Sequence, residues 1–188
     1  MSDNPFNLPE SFEESFEHYH LPKQYKNWLL LSDLHVPYHN IRAITEMLNY
    51  GISKNIDAIF LNGDVLDFYM LSKFNPDPRK RDFQEELLAL EKLIDVLRGI
   101  APVFYKLGNH EERFENYMIR NAPVLLKTRE FQLNNLLQCY AKGVEIIADQ
   151  KIVYMGHLPV LHGHEVRLNS SIVNPARSLF LKTKKSIS

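Results

Sequence analysis

Three short apolar runs, separated by stretches of helical periodicity, constrain this chain more than anything else in it. Trp28-Leu29-Leu30-Leu31, Ala58-Ile59-Phe60-Leu61 and Val103-Phe104-Tyr105-Lys106-Leu107 are bounded by polar residues, as expected of strands buried on both faces. Between the first two, Asn40 stands where it can cap a helix, and Ile41, Ile44, Leu48 and Ile52 share one face of it. Between the second and third, Phe83, Leu87, Leu90, Ile94 and Leu97 recur at spacings of four and three, and Gly99 and Pro102 close the segment. The order β-α-β-α-β predicts parallel strands joined by right-handed crossovers. Further on, helical stretches are expected near 111–120 and 129–140. Three short strands, Val144–Ala148, Ile152–Met155 and Pro159–His162, read as an antiparallel meander. A last helical segment is expected over about 170–182. Residues 1–24 lack a clear period and read as an irregular arm packed on one domain spanning 25–188.

With 188 residues the chain can bury a sizeable core in one domain. Its net charge of −1 gives no bulk electrostatic case for nucleic acid or an anionic membrane. Cys139 is the single cysteine, so no internal disulfide forms. The start, Met-Ser-Asp-Asn-Pro, does not resemble a secretory signal, and no apolar run approaches the ~18 residues of a membrane span. The expectation is a soluble, cytoplasmic protein with no membrane partner.

The strand ends carry the chemistry. The first runs into Ser32-Asp33-Leu34-His35, the second into Asn62-Gly63-Asp64-Val65-Leu66-Asp67, and the third into Gly108-Asn109-His110-Glu111. A later strand runs into Leu161-His162-Gly163-His164-Glu165. In open α/β sheets the functional crevice lies beyond the carboxyl ends of the strands, so these loops are expected to share one rim. Asp33 and His35, two apart, would point the same way from extended backbone and chelate one cation. Carboxylate with imidazole suits Zn, Mn or Fe better than Ca or Mg. Asp64 offers two oxygens to two cations, Gly63 a sharp turn beside them, and Asn109 and His162 an amide oxygen and an imidazole for the second ion. A pair of such ions activates water for attack on phosphorus. His110 is then placed to protonate the leaving oxygen, and Asp67 to hold its tautomer.

These clusters resemble the calcineurin-like metallophosphoesterase family, whose blocks run D-x-H, G-D-x-x-D, G-N-H-[DE], a lone H, and G-H-x-H. Asp33–His35, Gly63–Asp67 and Gly108–Glu111 match the first three in order, and the likeness extends from about Trp28 to Glu165. The G-N-H-E-E-R run is similar to that of phage and bacterial phosphoesterases. The resemblance implies an αββα sandwich that hydrolyses phosphate mono- or diesters with two divalent ions. In it Asp33 and His35 bind the first metal, Asp64 bridges, Asn109 and His162 bind the second, and His110 with Asp67 is catalytic. No histidine follows His164, so the G-H-x-H block is missing. His162-x-His164 has the spacing, but Leu161 replaces the glycine. The expectation is therefore a metallophosphoesterase domain lacking its final strand or strands. The alternative to an active hydrolase is an impaired remnant or half of a split enzyme, binding metal weakly or acting through a partner.

Other residues stay open at this level. Arg113 either neutralises a substrate phosphate through its fork of donors or pairs with a nearby glutamate. His39 and His164 are candidates for substrate contact, or are solvated or capping residues. His18, His20 and His157 read as bystanders, and the basic runs Arg79-Lys80-Arg81 and Lys182–Lys185 as solvated faces.

Overall fold

The computed structural model describes residues 5–9, 17–73, 77, 79, 82–148, 150–165, 176–177 and 180–181. The expected strands form as β2 (Trp28–Leu31), β3 (Ala58–Asn62) and β4 (Val103–Lys106), preceded by a two-residue β1 (Tyr19–His20). Four helices follow the expected segments: α1 (Ile41–Ser53), α2 (Phe83–Arg98), α3 (Glu112–Asn121) and α4 (Leu133–Tyr140). Three later strands are β5 (Glu145–Ile147), β6 (Val153–Met155) and β7 (Leu158–Val160).

Asn40 caps α1, its Oδ1 accepting from the Ala43 N–H at 3.0 Å, and Asp82 caps α2 through the Glu85 N–H at 2.9 Å. Such caps stabilise a helix by roughly 1 kcal/mol. The α2 stripe is as expected, with Leu87, Leu90, Ile94 and Leu97 buried and Phe83 packed at the margin. In α1 the stripe is narrower than the sequence suggests. Ile44 and Leu48 face the core, but Ile41 and Ile52 are 73% and 52% exposed, while Gly51 takes the buried place near Ile56. At about 100° per residue Ile41 and Ile52 sit roughly 60–80° round the helix from Ile44, on the flank of the stripe, whereas Gly51 sits within about 20° of it.

β2, β3, β4 and β5 pair in that order, every pair parallel. When right-handed crossovers add strands in one direction, every connecting helix lies on the same face. Accordingly, the apolar sides of all four helices share one core with Leu29, Leu31, Ile59, Leu61, Val103 and Tyr105. The alternate residues Trp28, Leu30, Ala58, Phe60 and Phe104 point the other way, into a second core with Leu21, Val153 and Val160. That face is covered by a second sheet of order β1-β6-β7, with β1 parallel and β7 antiparallel to β6.

Two expectations change. β5 does not join a meander but extends the parallel sheet beside β4, because its crossover contains α3 and α4; only β6 and β7 form an antiparallel hairpin. In the 1–24 segment, Tyr19–His20 is a strand and Leu21 is buried. Of the helix expected over 170–182, residues 176–177 and 180–181 are helical and the rest lies outside the described residues, as does the Lys182–Lys185 run. No helix among the described residues is long and apolar enough to cross a membrane.

Candidate metal centre

The loops after β2 and β3 stay paired beyond the strands. Asp33 N–H donates to Gly63 O at 3.2 Å, His35 N–H to Asp64 O at 3.0 Å and Val36 N–H to Val65 O at 2.7 Å. Leu34 and Val36 are thereby held in the core, and Asp33 and His35 are presented on the other side. The common direction foreseen for Asp33 and His35 holds, but not through extended backbone. Asp33, His35 and Asp64 have φ of 55°, 49° and 51°, left-handed conformations that cost about 1–2 kcal/mol each for residues with a Cβ. The interloop hydrogen bonds hold that strain in place. Gly63 and Gly108 permit the close packing. A Cβ on Gly63 would sit 2.7 Å from the His162 ring, and one on Gly108 would collide with the Asp64 backbone nitrogen.

Around Asp64 the four loops converge. Its Oδ2 lies 3.3 Å from His162 Nε2, 3.7 Å from His110 Nε2 and 4.0 Å from His35 Nε2. His35 Nε2 is also 3.9 Å from Asp33 Oδ1, and His162 Nε2 is 3.2 Å from Asn109 Oδ1. The donor atoms fall into two groups that share Asp64. One comprises His35, Asp64 and His110, and the other Asp33, Asp64 and His162, each with its atoms within 4.8 Å of one another. This grouping cuts across the division expected from the motifs, while keeping Asp64 at the centre.

The hydrogen-bond network assigns the tautomers. His162 Nδ1–H is directed at Asn62 O at 2.8 Å, and His35 Nδ1–H at Asp67 Oδ1 at 3.2 Å. The Nε2 lone pairs then face the oxygens of Asp64, Asn109 and Asp33, acceptor against acceptor. A proton or a cation between them relieves this. Imidazoles whose far nitrogen is tied to a carbonyl or carboxylate are the usual pattern of metal ligands, so the donor set fits a divalent ion. Burial alone pushes His162 down, but Asp64 outweighs it and raises the imidazole above its ordinary value. Burial likewise pushes Asp64 up, and the His162 and His110 contacts overcome it to hold the carboxylate low.

The sequence model of the calcineurin-like phosphoesterase family matches residues 27–184. The chain belongs to that family. A comparison with curated proteins gives no match.

In this member of the family His110 is engaged differently from the other two imidazoles. Its Nδ1 lies 3.0 Å from Asp67 O and 3.4 Å from Asp67 Oδ1, and its Nε2 accepts from Arg113 Nη2 at 2.8 Å. Arg113 Nη1 also donates to Asp67 O at 2.8 Å. Arg113 thus joins the cluster, and no ion pair to a glutamate is recorded for it among the described residues. Asp67 serves His35 as well as His110. Burial pushes its carboxyl up, but the His110, Arg113 and His35 charges bring it below the ordinary value.

Two proposed substrate contacts sit apart. His39 has no hydrogen bond or ion pair to the cluster among the described residues. His164 lies 3.5 Å from Glu112 Oε1 and packs on the His162 ring at 5.3 Å, beside a cavity shared with Glu17 and His18 rather than over Asp64. His18 and His20 pack against Tyr154 of β6.

Two glutamates behind the cluster were not foreseen in these roles. Glu111, fully buried, accepts from the N–H groups of Asp64, Leu66 and Gly108 at 3.0, 2.9 and 2.7 Å and from the Tyr105 hydroxyl at 2.7 Å. It thereby ties the β3 loop to the β4 loop. Glu165 accepts from the His162 and Gly163 N–H groups at 2.9 and 2.7 Å and pairs with Lys106 Nζ. A lysine inside a strand otherwise buried on both faces was the available signal, since such a charge needs a partner.

Proposed function

We propose that this phosphoesterase hydrolyses phosphate mono- or diesters with a pair of divalent ions, Mn, Fe or Zn, held around Asp64. In this reading Asp33, His35 and Asp64 hold one ion, and Asp64, Asn109 and His162 the other. The observation that carries it is the meeting of three imidazole Nε2 atoms within 4.0 Å of one Asp64 oxygen. His110 is kept out of the ligand sets because its two nitrogens are already engaged by Asp67 and Arg113.

Bound divalent ions supply Lewis-acid polarisation of a phosphoryl oxygen and a more acidic water. The chain's own residues do the rest. Burial pushes His110 down, but its Asp67 and Asp64 contacts raise the imidazole above its ordinary value. Once Arg113 turns from Nε2 to the phosphate, that nitrogen takes up a proton and delivers it to the leaving oxygen. Arg113, 2.8 Å from the His110 ring, presents its guanidinium to the phosphoryl oxygens. Asp67 fixes both His35 and His110, so ligand and acid keep a common orientation.

The test is turnover of p-nitrophenyl phosphate and its bis ester by the purified chain with Mn, alongside metal analysis. We expect about two equivalents of metal and measurable turnover, with His110→Ala lowering kcat roughly 10²–10⁴-fold. Asp64→Ala is expected to abolish both turnover and metal retention. Under half an equivalent of metal, with no turnover, would favour the impaired remnant or split enzyme instead.

A further inference from the structure

Beside the cluster lies a cavity of about 450 Å³ between the turn that follows β3 and the outer face of α3. That volume is in the range of small-molecule sites. Asn109, a proposed ligand next to His110, is part of its lining, so the cavity borders the proposed metal centre. Lys73 lines one wall, and Arg113, Asn116 and Arg120 line the other. Spacings of three and four put Arg113, Asn116 and Arg120 on one stripe of the helix, and seven residues of helix climb roughly 10 Å. The stripe therefore carries positive charge from the cluster outward. The helix as a whole is not basic. Glu112, adjacent to Arg113, turns instead toward His164 at 3.5 Å, and no acidic side chain is among the described lining residues. Leu71 and Ile119 add an apolar strip, with Ile119 56% exposed.

We infer that this cavity is a subsite for a second phosphate group, carried by the substrate roughly 6–10 Å from the phosphorus that reacts. The inference rests on the proposed phosphoester hydrolysis and narrows its substrate class. Arg113 is committed to two contacts at Asp67 and His110, out of five N–H donors, and faces the reacting group. Lys73 and Arg120 stand further out and take the second phosphate, while Leu71 and Ile119 border the sugar or ring that joins the two. The ligand chemistry fits two sources, a nucleoside bisphosphate or adjoining phosphates of a nucleotide chain. The alternative for Arg120 is purely helical, since its Nε donates to Asn116 O at 3.0 Å in the last turn of α3, where a cation is favoured by the helix dipole.

The experiment compares kcat/KM, with Mn, for adenosine 3′,5′-bisphosphate, adenosine 5′-monophosphate and 5′-phosphorylated dithymidine. The bisphosphate or the dinucleotide is expected to exceed the monophosphate at least tenfold, mainly through KM, and the better of the two identifies the source. Arg120→Ala and Lys73→Ala should each cut that ratio fivefold or more, and Arg120→Lys should keep most of it. A ratio near one in the unsubstituted protein, or one unmoved by both alanine variants while p-nitrophenyl phosphate is turned over, overturns the subsite and leaves the hydrolase reading standing. If nothing is turned over, the hydrolase reading falls. Calorimetric binding of the bisphosphate against the monophosphate then decides the subsite: tighter binding that Arg120→Ala abolishes supports it, and equal binding overturns it.

Discussion

Glu111 and Glu165 are both buried carboxylates behind the same cluster, yet they are satisfied by different chemistry. Glu111 collects four neutral donors from the β3 and β4 loops and from Tyr105. Glu165 spans the two sheets, holding the loop after β7 to Lys106 of β4; their side chains are 2% and 0% exposed. Burial pushes Glu111 up, more than its donors pull it down. Burial also pushes Glu165 up, but there the Lys106 charge wins and the carboxyl lies below its ordinary value. The half of the site built on the parallel sheet is thus fixed by hydrogen bonds among neighbouring loops. The half that delivers His162 adds a charge pair across a packed interface to the hydrogen bonds that Asn62 makes with Leu161 O and the His162 ring.

The largest effect should follow from breaking that pair. Lys106→Met leaves Glu165 buried without its cation, which costs about 3–5 kcal/mol. Urea unfolding of the metal-free protein should record the loss. A drop under about 1 kcal/mol would show that Glu165 reaches water and that the pair does not anchor the His162 loop. A smaller cost, about 1–3 kcal/mol, is expected for Glu111→Gln, whose amide group must face one of the four donors. Faster hydrogen exchange should appear first at the Asp64, Leu66 and Gly108 amides. Unchanged exchange there would remove Glu111 from its role as the tie between the loops.

How much of this was legible beforehand divides along the same line. The parallel half was readable because strand, loop and motif are contiguous: Asp33-Leu34-His35 follows β2, Gly63–Asp67 follows β3, and Asn109-His110 follows β4. Rules of crossover and strand end then place the rest. The second sheet was poorly readable. Its β1 is two residues long, and it pairs with β6 from more than a hundred residues away, a contact that no local period encodes. β5 was misplaced for a related reason. A three-residue strand looks the same in a meander or at the end of a parallel sheet, and only the size of the crossover before it decides. Left-handed backbone at Asp33, His35 and Asp64 carries no sequence signal, because propensity disfavours it and tertiary hydrogen bonds impose it.

Acidity should sharpen the contrast, because the two glutamates contribute with opposite slopes. Glu165 has its folded value below the ordinary one near 4.5, so its contribution is present above that pH and is lost as pH falls through the folded value. Glu111 has its folded value raised above the same reference, so its contribution is present below about 4.5 and fades as pH rises through the folded value. The stability gap between the unsubstituted protein and Lys106→Met should therefore shrink on acidification. The gap to Glu111→Gln should shrink as pH rises from the acid side. Parallel pH profiles for the two variants would mean that the two carboxylates share one environment.

The smallest expected effect concerns the residue that the charge pair delivers. In the ion-free protein His162 is raised above its ordinary value near 6.5, against the downward push of burial, by its contact with Asp64. Below that raised value a proton on Nε2 occupies the position a cation would take between Asp64 Oδ2, 3.3 Å away, and Asn109 Oδ1, 3.2 Å away. Binding Mn must displace that proton, so apparent affinity should fall up to about tenfold per pH unit below the raised value, equivalent to about 1.4 kcal/mol. Titration calorimetry at pH 6, 7 and 8, in buffers of different ionisation enthalpy, should show a proton released with the ion. His162→Gln keeps a neutral ligand atom and should flatten the dependence while weakening binding. An affinity that is already flat in the unsubstituted protein would mean that the ion does not enter through His162. It would then sit wholly in the half of the site that the parallel sheet builds, with Asp33, His35 and Asp64.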